Sequence, residues 1–271
     1  MNLPQPSPFK TEIQSDAARF RQQIRSGEFT GQTSGWCPGL VQGNIVILPA
    51  DWATDFLLFC QLNPVSCPLI HVSQPGEFLM HPLGADLDIR TDVPEYQIFE
   101  NGVRTQKAFD IREYWQDDFV TFVLGCSFSF EDALKRAGIS IRNVENNTNV
   151  SMYRTNMPTK TAGRFSGETV VSMRPFTAAD AIRAIQITTR LPRAHGAPIH
   201  MGDPALIGIN NINQPDFGDP TPVNDNEIPL FWGCGVTPQA ALENAKPPIA
   251  ITHVPGKMVV TDLLNEELAV L

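Results

Sequence analysis

The chain has 271 residues, 42% of them hydrophobic and 18% charged, which is the composition of an ordinary globular protein. The formal net charge is −9 and no basic stripe is present, which argues against nucleic-acid binding. The first ten residues lack the basic and apolar regions of a signal peptide, and no apolar run is long enough to cross a membrane. Five widely scattered cysteines are typical of a reducing compartment, so we expect a cytoplasmic protein.

The first half of the chain predicts alternating helices and strands. Apolar residues at helical spacing predict a helix over 11–26, followed by a polar linker. Compact apolar runs predict strands at 44–49, 68–72 and 119–124, with a helix from about Asp51 to Asn63 after the first strand. The segment 97–115 is polar and is expected to be a loop-like insertion. Gly125-Cys126-Ser127 then turns from a strand into a helix over 130–137, which Gly138 ends.

The second half repeats this order of landmarks, which indicates an internal duplication. A strand over 169–175 is followed by a helix over 177–190, for which Thr177 is a suitable N-cap. Further strands at 197–201 and 230–234 lead to a second Gly-Cys turn and a helix over 238–246. The matched positions are Pro49 with Pro175, His71 with His200, Cys126 with Cys234, and Thr155 with Thr261.

Strands that alternate with helices favour a layered α/β fold with a mixed, largely parallel sheet, here built from two intertwined structural repeats. We expect an N-terminal helix and linker over 1–34 and a catalytic unit over 35–271. Its interleaved repeats would span about 40–156 and 165–262 and could form two lobes. In such sheets ligands bind outside the carboxyl ends of the strands, where both Gly-Cys turns lie.

Cys126 and Cys234 are the strongest catalytic candidates. A strand that runs into Gly-Cys and then into a helix places backbone N–H groups and the positive end of a helix dipole around one spot, which suits a carboxylate. A thiol at that spot is expected to have a lowered pKa and could act as a nucleophile or a proton shuttle. The alternative is that each cysteine is a small residue that permits close strand–helix packing.

Polar residues beside the two turns are further candidates. Glu131 follows Cys126 and could act as a general acid or base, although a capping box with Ser127 or Ser129 is the commoner meaning of such a pattern. Ser127 and Thr237 lie near the two helix starts and could contact a substrate, and Thr237 and Gln239 stand in the second turn where the first has acidic groups. The first turn is the more acidic of the two, which indicates a division of labour between them.

Charged residues elsewhere could bind the substrate. Arg154 and Arg164 lie in a turn-rich central segment and could clamp carboxylates, or they could be surface arginines without a ligand. Asp86 and Arg90 belong to a charged cluster with Asp88 and Asp92, which is either solvated or a wall of the site.

Most of the histidines lie in the second half. His195, His200 and Asp203 could hold a divalent metal, but their spacing matches no standard ligand pattern, so we predict no metal ligands and assign His200 a catalytic role instead. The signatures of phosphate loops, dinucleotide loops, nucleophile elbows and zinc proteases are missing. Nucleotide and nicotinamide chemistry are therefore not indicated.

Long strings spread through the chain resemble the D-glutamate cyclase family, whose members are called hydro-lyases mostly by similarity. The resemblance runs from about Gly35 to Asp262 and implies a lyase that converts D-glutamate to 5-oxo-D-proline and water, in amino-acid metabolism. It implies that a divalent cation, Mn²⁺ or Mg²⁺, sometimes accompanies the activity, and it carries over no catalytic residue. The strings are NIVILPADWATDFLLFCQLNP, GADLDIRTDVPEY, FVLGCSFSFEDAL, MYRTNMP, HGAPIHMGDP, FWGCGVTPQAA and ITHVPGKMVVTDL.

Two other functions are compatible with the same residues. A cofactor-independent amino-acid racemase or epimerase would use Cys126 and Cys234 as acid and base on opposite faces of a substrate Cα. A non-catalytic protein that senses a small carboxylate would keep both cysteines for packing alone. In each case the expected partner is a small carboxylate such as D-glutamate, and a homodimer is an open alternative to a monomer.

Overall fold

Within residues 8–270, which the computed structural model describes with side chains from Gln14 onward, the chain forms six α-helices and eleven strands. No helix in this range is long and apolar enough to cross a membrane. The helices are α1 (Pro8–Arg25), α2 (Ala50–Leu62), α3 (Ser127–Arg136), α4 (Arg142–Glu145), α5 (Ala178–Thr189) and α6 (Thr237–Ala245). The strands are β1 (Leu40–Pro49), β2 (Leu69–Val72), β3 (Tyr96–Glu100), β4 (Val103–Ala108), β5 (Phe119–Gly125), β6 (Ser151–Pro158), β7 (Glu168–Thr177), β8 (His200–Met201), β9 (Glu227–Gly233), β10 (Ile249–His253) and β11 (Val259–Leu264).

The strands form two sheets. The larger sheet has the order β2-β5-β1-β10-β3-β4, and β11 pairs with the start of β1. The smaller sheet has the order β6-β7-β9-β8. Every strand pair described in the two sheets is antiparallel. The mixed α/β class is therefore confirmed, whereas the prediction of a largely parallel sheet is wrong.

The strand–helix–strand units explain this error. Because β1 and β2 both pair antiparallel with β5, they run parallel to each other, as a connection through α2 requires. However, β5 lies between them, so the two parallel strands are not neighbours. β9 separates β7 from β8 in the same way. The alternation of helices and strands along the sequence cannot reveal a strand that is inserted from a later part of the chain.

The two sheets share one order of pairing, since β11-β1-β5-β2 in the larger sheet corresponds to β6-β7-β9-β8 in the smaller sheet. Their registers also correspond, because Gly43 lies opposite Gly125 and Val171 lies opposite Gly233. When the two sheets are aligned by this register, Pro49 at the end of β1 corresponds to Thr177 of β7. The sequence comparison had instead matched Pro49 with Pro175. This common order is compatible with the two repeats, and the duplication itself stays a prediction.

The segment 97–115 is not a loop. β3 and β4 form a hairpin whose turn residues, Asn101 and Gly102, have φ angles of 51° and 80°. Positive φ at both positions belongs to the tight type I′ turn that favours Asn-Gly. Ile98 and Phe99 of β3 enter two different core clusters because neighbouring side chains of a strand point to opposite faces.

The remaining predicted elements agree with the structure to within a few residues. α2, α3, α5 and α6 lie where the helices were expected, and the Thr177 hydroxyl accepts a hydrogen bond from the Asp180 N–H at 3.3 Å, which confirms the N-cap. The strand predicted at 197–201 is shorter and consists of His200 and Met201 alone.

β1 is buried along its whole length because both faces of the larger sheet are covered. Val46 and Leu48 pack into the cluster formed with α2 and α6, and Ile45 and Ile47 enter the cluster on the opposite face. A third cluster around Trp232 joins α3 and α5 to strands of both sheets. The packing brings the ends of β5 and β9, and with them the two Gly-Cys turns, into contact.

α1 packs against β11 and β1 through an apolar face that includes Phe20 and Ile24. Arg21 of this helix is fully buried, donates to the Val260 carbonyl at 3.0 Å and pairs with Asp262 at 2.8 Å. The division at residue 34 stays a prediction, but α1 is in close contact with the rest of the chain.

Candidate active site

Both Gly-Cys turns open onto one cleft. Cys126 follows β5, and its Sγ accepts a hydrogen bond from the Phe128 N–H at the start of α3, at 3.5 Å. Cys234 follows β9 in the corresponding place before α6. About 290 Å³ in and around the cleft is empty of atoms, a volume that includes open solvent. Its polar lining is formed by Asn44, Cys126, Ser127, Asn149, His195 and Cys234.

The thiols do not have the lowered pKa that the helix starts predicted. Burial raises the pKa of Cys126 to about 12 and that of Cys234 to about 11. Hydrogen bonds from backbone N–H groups and the nearby Arg174 act in the opposite direction but do not compensate for desolvation. Both groups are therefore protonated thiols at neutral pH and can act as proton donors.

The helix starts offer backbone donors to a ligand. Ser127 and Gly235 line the cleft at the beginnings of α3 and α6. Within the described residues neither of their amide groups has a hydrogen-bond acceptor in the chain. Free N–H groups at a helix N-terminus favour anions, so the cleft can hold a carboxylate or a developing oxyanion.

Arg174 on β7 is a buried cation beside this cleft, and sequence reasoning missed it. Its guanidinium donates to Glu131 Oε1 through Nε at 2.9 Å, to Ser127 Oγ at 2.9 Å and to Ser172 Oγ at 3.1 Å. It also lies 4.9 Å from the centroid of the Phe130 ring. Arg174 therefore fixes the first turn of α3. The chain offered no local signal for it, since a single arginine in an apolar strand has no recognisable partner in sequence.

His195 lies in the cleft, and it was not among the residues assigned a role. It is buried, and its Nδ1 donates to the Val65 carbonyl at 2.7 Å, while the Gly125 backbone also hydrogen-bonds the ring. Burial, with a smaller contribution from Arg174, lowers the pKa of His195 to about 4. Its left-handed backbone, with φ of 75°, ends a short 3₁₀ turn at Pro192–Ala194.

The two turns fit their surroundings closely. A Cβ on Gly125 would lie 1.7 Å from the Arg193 carbonyl oxygen, and one on Gly233 would lie 2.9 Å from that of Val65. Each glycine thus packs against the loop that follows the helix of the other half. Asn44 touches both turns, because it donates to the Gly125 carbonyl at 2.7 Å and lies against Gly235.

The other predicted residues beside the turns have structural partners. Glu131 is buried and pairs with Arg174 instead of closing a capping box, and the N-cap of α3 is Cys126 itself. The Thr237 hydroxyl bonds the backbone of Val170. His200 lies at the edge of the smaller sheet, where its Nε2 contacts the Asp203 carbonyl at 2.8 Å, and is not part of the cleft lining.

The predicted arginines lie outside the cleft. Arg154 pairs with Glu243 at 2.7 Å, and Arg164 pairs with Asp55 at 2.8 Å while covering the Trp52 ring at 3.9 Å. Both guanidinium groups are thus occupied by carboxylates of the chain itself.

The charged cluster at 86–92 also lies elsewhere. Asp86 is bound by Arg21 and Arg25 of α1, and Arg90 pairs with Asp88 at 2.7 Å. The cluster therefore holds the N-terminal helix in place. Of the residues for which the sequence predicted a role, the structure brings Cys126, Cys234 and Ser127 to the cleft.

The histidines do not form a metal centre. In the described part of the chain, no three His, Cys, Asp or Glu side chains gather as a metal ion would require. The residues present do not fit the cation that the family resemblance implied, so no chemical step is assigned to one.

These features define the class: an α/β protein with a small, partly closed cleft that combines two thiols, a neutral imidazole and free backbone donors. Comparison with known proteins gives the family. The family model described as D-glutamate cyclase matches residues 120–262. Proteins named "Putative hydro-lyase" from Shewanella woodyi and Aliivibrio fischeri are each 59% identical, over 268 and 252 residues. The alignments cover 99% and 93% of this chain and 100% and 95% of those proteins.

A relative from Burkholderia lata, also named as a hydro-lyase, is 55% identical over 93% of this chain and 98% of its own length. The chain therefore belongs to the D-glutamate cyclase family of hydro-lyases. Among solved structures, a nitrogen repressor-like protein from Methanococcus jannaschii aligns over 91% of this chain and 96% of its own. The TM-score is 0.36 at 8% identity, a likeness too slight to carry an argument.

Proposed function

We propose that the protein is a lyase that closes D-glutamate to 5-oxo-D-proline with loss of water, and that the cleft between the two Gly-Cys turns is its active site. The supporting observation is that Cys126, Cys234, His195 and two helix starts meet in one small cleft. Membership of the D-glutamate cyclase family supports the choice of substrate.

Ring closure makes modest demands on the enzyme because both reacting groups belong to one molecule. The cleft has to hold D-glutamate in a folded conformer in which the α-nitrogen faces the γ-carboxyl carbon. The Ser127 and Gly235 amides would bind the γ-carboxyl oxygens and stabilise the negative charge that develops on them. Arg174 adds positive charge nearby without contacting the substrate, since it is bound to Glu131 and Ser127.

The proton transfers use the neutral imidazole and a thiol. A C–N bond forms, a C–O bond of the carboxyl breaks, and the two protons lost by the ammonium nitrogen end on the leaving oxygen as water. The neutral His195 ring would accept one proton from the nitrogen, helped by the negative charge of the bound substrate. Cys126 would donate one proton to the leaving oxygen, because even a thiol with a pKa of about 12 is a stronger acid than water. The second ammonium proton would pass to the same oxygen, and the proton held by His195 would then restore the Cys126 thiol.

The direct test is incubation of the purified protein with D-glutamate, followed by quantification of 5-oxoproline. The proposal predicts turnover of the wild-type chain that the Cys126→Ala variant loses. Absence of 5-oxoproline from both proteins, with and without added Mn²⁺ or Mg²⁺, would contradict it. The L-enantiomer serves as the control for stereochemistry.

A second candidate function is supported by the presence of two thiols in one cleft. Cys126 and Cys234 line the same cleft from the two halves of the chain, as the acid and base of a cofactor-independent racemase would. In that reaction one thiolate removes the Cα proton and the other thiol returns a proton to the opposite face.

Deuterium oxide separates the two reactions. Ring closure leaves the Cα–H bond intact, whereas racemisation replaces that hydrogen with solvent deuterium. Proton NMR of D-glutamate incubated with the protein should show 5-oxoproline that retains its Cα hydrogen. Loss of the Cα signal with inverted glutamate and no lactam would favour the racemase instead.

A further inference from the structure

The helix α2 is apolar on two opposite faces. Phe56 and Phe59 are buried in the core between α2 and the larger sheet. On the outer face Leu58 is 50% exposed, and Leu57 and Leu62 beside it are exposed as well. A helix that is apolar all round is normally covered on both sides, so we expect a partner on this outer face.

The helix α5 occupies the corresponding place beside the smaller sheet, and it shows that this place does not require apolar residues. The register shared by the two sheets aligns Leu58 with Gln186 and Leu62 with Arg190. Gln186 and Arg190 are both exposed, as polar residues on an ordinary solvated helix face are. The outer leucines are therefore a property of α2 itself and not of its position in the fold.

Opposite charges lie at the two ends of this outer face. At the C-terminal end of α2 the backbone N–H of Lys160 donates to Asn63 Oδ1 at 2.8 Å, which places Lys160 beside the helix. Lys160 is exposed, and its ammonium group forms no ion pair with the described residues. At the N-terminal end the Asp51 side chain is 71% exposed, and its carboxylate lies 3.7 Å from Arg164. The face thus has an apolar centre between an available cation and an accessible carboxylate.

A second copy of the chain is complementary to this face when the two helices run antiparallel. The helix from Asp51 to Asn63 rises by about 18 Å, and Leu57 lies halfway along it. A two-fold axis at this midpoint brings the leucines of the two copies together and each negative end onto a positive end. We propose that α2 is the interface of a homodimer, in which the outer leucines pack about the two-fold axis and Asp51 of each copy pairs with Lys160 of the other.

Sedimentation velocity of the full chain over a range of concentrations tests the proposal. We expect a monomer–dimer equilibrium that approaches twice the mass of the chain. Leu58→Glu should raise the dissociation constant by about 100-fold or more, because two like charges replace two leucines near the axis. Leu58 is half exposed in the single chain, so this variant should fold. Ile182→Glu is the matched control, since Ile182 is 60% exposed on the outer face of α5, and it should leave the dimer unchanged.

Charge exchange tests the antiparallel arrangement. Asp51→Lys and Lys160→Glu should each weaken the dimer about tenfold, because both reciprocal pairs become like-charged. The double variant should recover the wild-type affinity, since its pairs are restored with their signs reversed. A dimer that Leu58→Glu leaves intact, or a double variant no tighter than the single ones, would overturn the proposal. A monomer at every concentration would also overturn it, and cosedimentation of that monomer with lipid vesicles would assign the face to a membrane instead.

Discussion

Cys126 and Cys234 face one cleft, but only Cys126 caps a helix with its sulfur and lies near Glu131. We expect Cys126→Ser to lower kcat of lactam formation by about 100-fold or more, the usual contribution of a general acid. The serine hydroxyl keeps the N-cap, so the free energy of unfolding should change little. Steady-state kinetics with D-glutamate and urea unfolding of the same sample would measure the two effects.

Cys60 provides the matched control for this experiment. It is equally buried but belongs to the core between α2 and the larger sheet. Cys60→Ala should therefore keep kcat near the wild-type value even if it lowers stability. A loss of activity as large as that of Cys126→Ser would contradict a specific role for Cys126.

Two buried histidines predict how stability depends on pH. Burial lowers the pKa of both His195 and His253 to about 4, against about 6.5 in an unfolded chain. Between these pH values the unfolded state therefore binds more protons than the folded state. The stability that the two neutral histidines contribute is complete above pH 6.5 and is lost as the pH falls toward 4. Between pH 7 and pH 5 we expect each histidine to reduce the free energy of unfolding by about 2 kcal/mol.

The variant His195→Asn isolates one of these contributions. Asparagine tolerates the left-handed φ of 75° and can replace the donor to the Val65 carbonyl. Urea unfolding at the two pH values should show a smaller decrease in this variant, whereas replacement of the exposed His81 by Gln should not alter the decrease. An identical pH dependence in wild type and His195→Asn would contradict the buried neutral ring.

At the scale of elements, the strand-to-helix turns depend on glycine for space. Because a Cβ at position 125 would lie 1.7 Å from the Arg193 carbonyl oxygen, Gly125→Ala must displace the loop that carries His195. We expect a loss of at least about 2–3 kcal/mol in unfolding free energy and a large loss of turnover. Differential scanning calorimetry and the lactam assay would measure these effects.

Gly138→Ala is the appropriate comparison. Its φ is +73° and, among the described residues beyond its chain neighbours, no atom lies within 4 Å of the position that the added methyl group would take, so it tests backbone strain without a clash. Gly138→Ala should lower the free energy of unfolding by about 1 kcal/mol and leave turnover intact. If Gly125→Ala were no more damaging than Gly138→Ala, close packing at the turn would not be what positions His195.

Local patterns identified most elements, since periodicity and capping residues are properties of short segments. The Asn101-Gly102 pair indicates a hairpin turn, but the sequence of β4, which follows it, is polar and is typical of a loop. The order of strands could not be obtained in this way, because β5 reaches its place between β1 and β2 only through tertiary packing.

At the scale of the whole molecule, the site was accessible to sequence reasoning only where a motif marks it. The two Gly-Cys turns were recognisable because each combines a strand end, a small residue and a helix start. Arg174, Asn44 and His195 have no such local signature, and they meet the turns through contacts between distant segments. Conversely, Arg154 and Arg164 have the expected chemistry, but the fold pairs them with carboxylates outside the cleft.

The N-terminal helix supplies a test of how the whole molecule is held together. Arg21 of α1 is fully buried and binds carboxylates from two separate segments, Asp86 and Asp262. Arg21→Met would leave these charges without their main partner, so we expect a loss of about 3 kcal/mol in the free energy of unfolding. The exposed Arg19, which pairs with Asp16 one turn away, is the matched control, and Arg19→Met should change stability by no more than about 0.5 kcal/mol.

Urea unfolding of the two variants at pH 7 would measure this difference, and limited proteolysis would show whether α1 detaches first. Because α1 packs on β11 and β1, its release should also expose the start of β1, where Gln42 lies. Early cleavage near residue 26 in Arg21→Met, but not in Arg19→Met, is the expected result. Equal stability and equal cleavage of the two variants would mean that the apolar face of α1, rather than its buried arginine, attaches the helix.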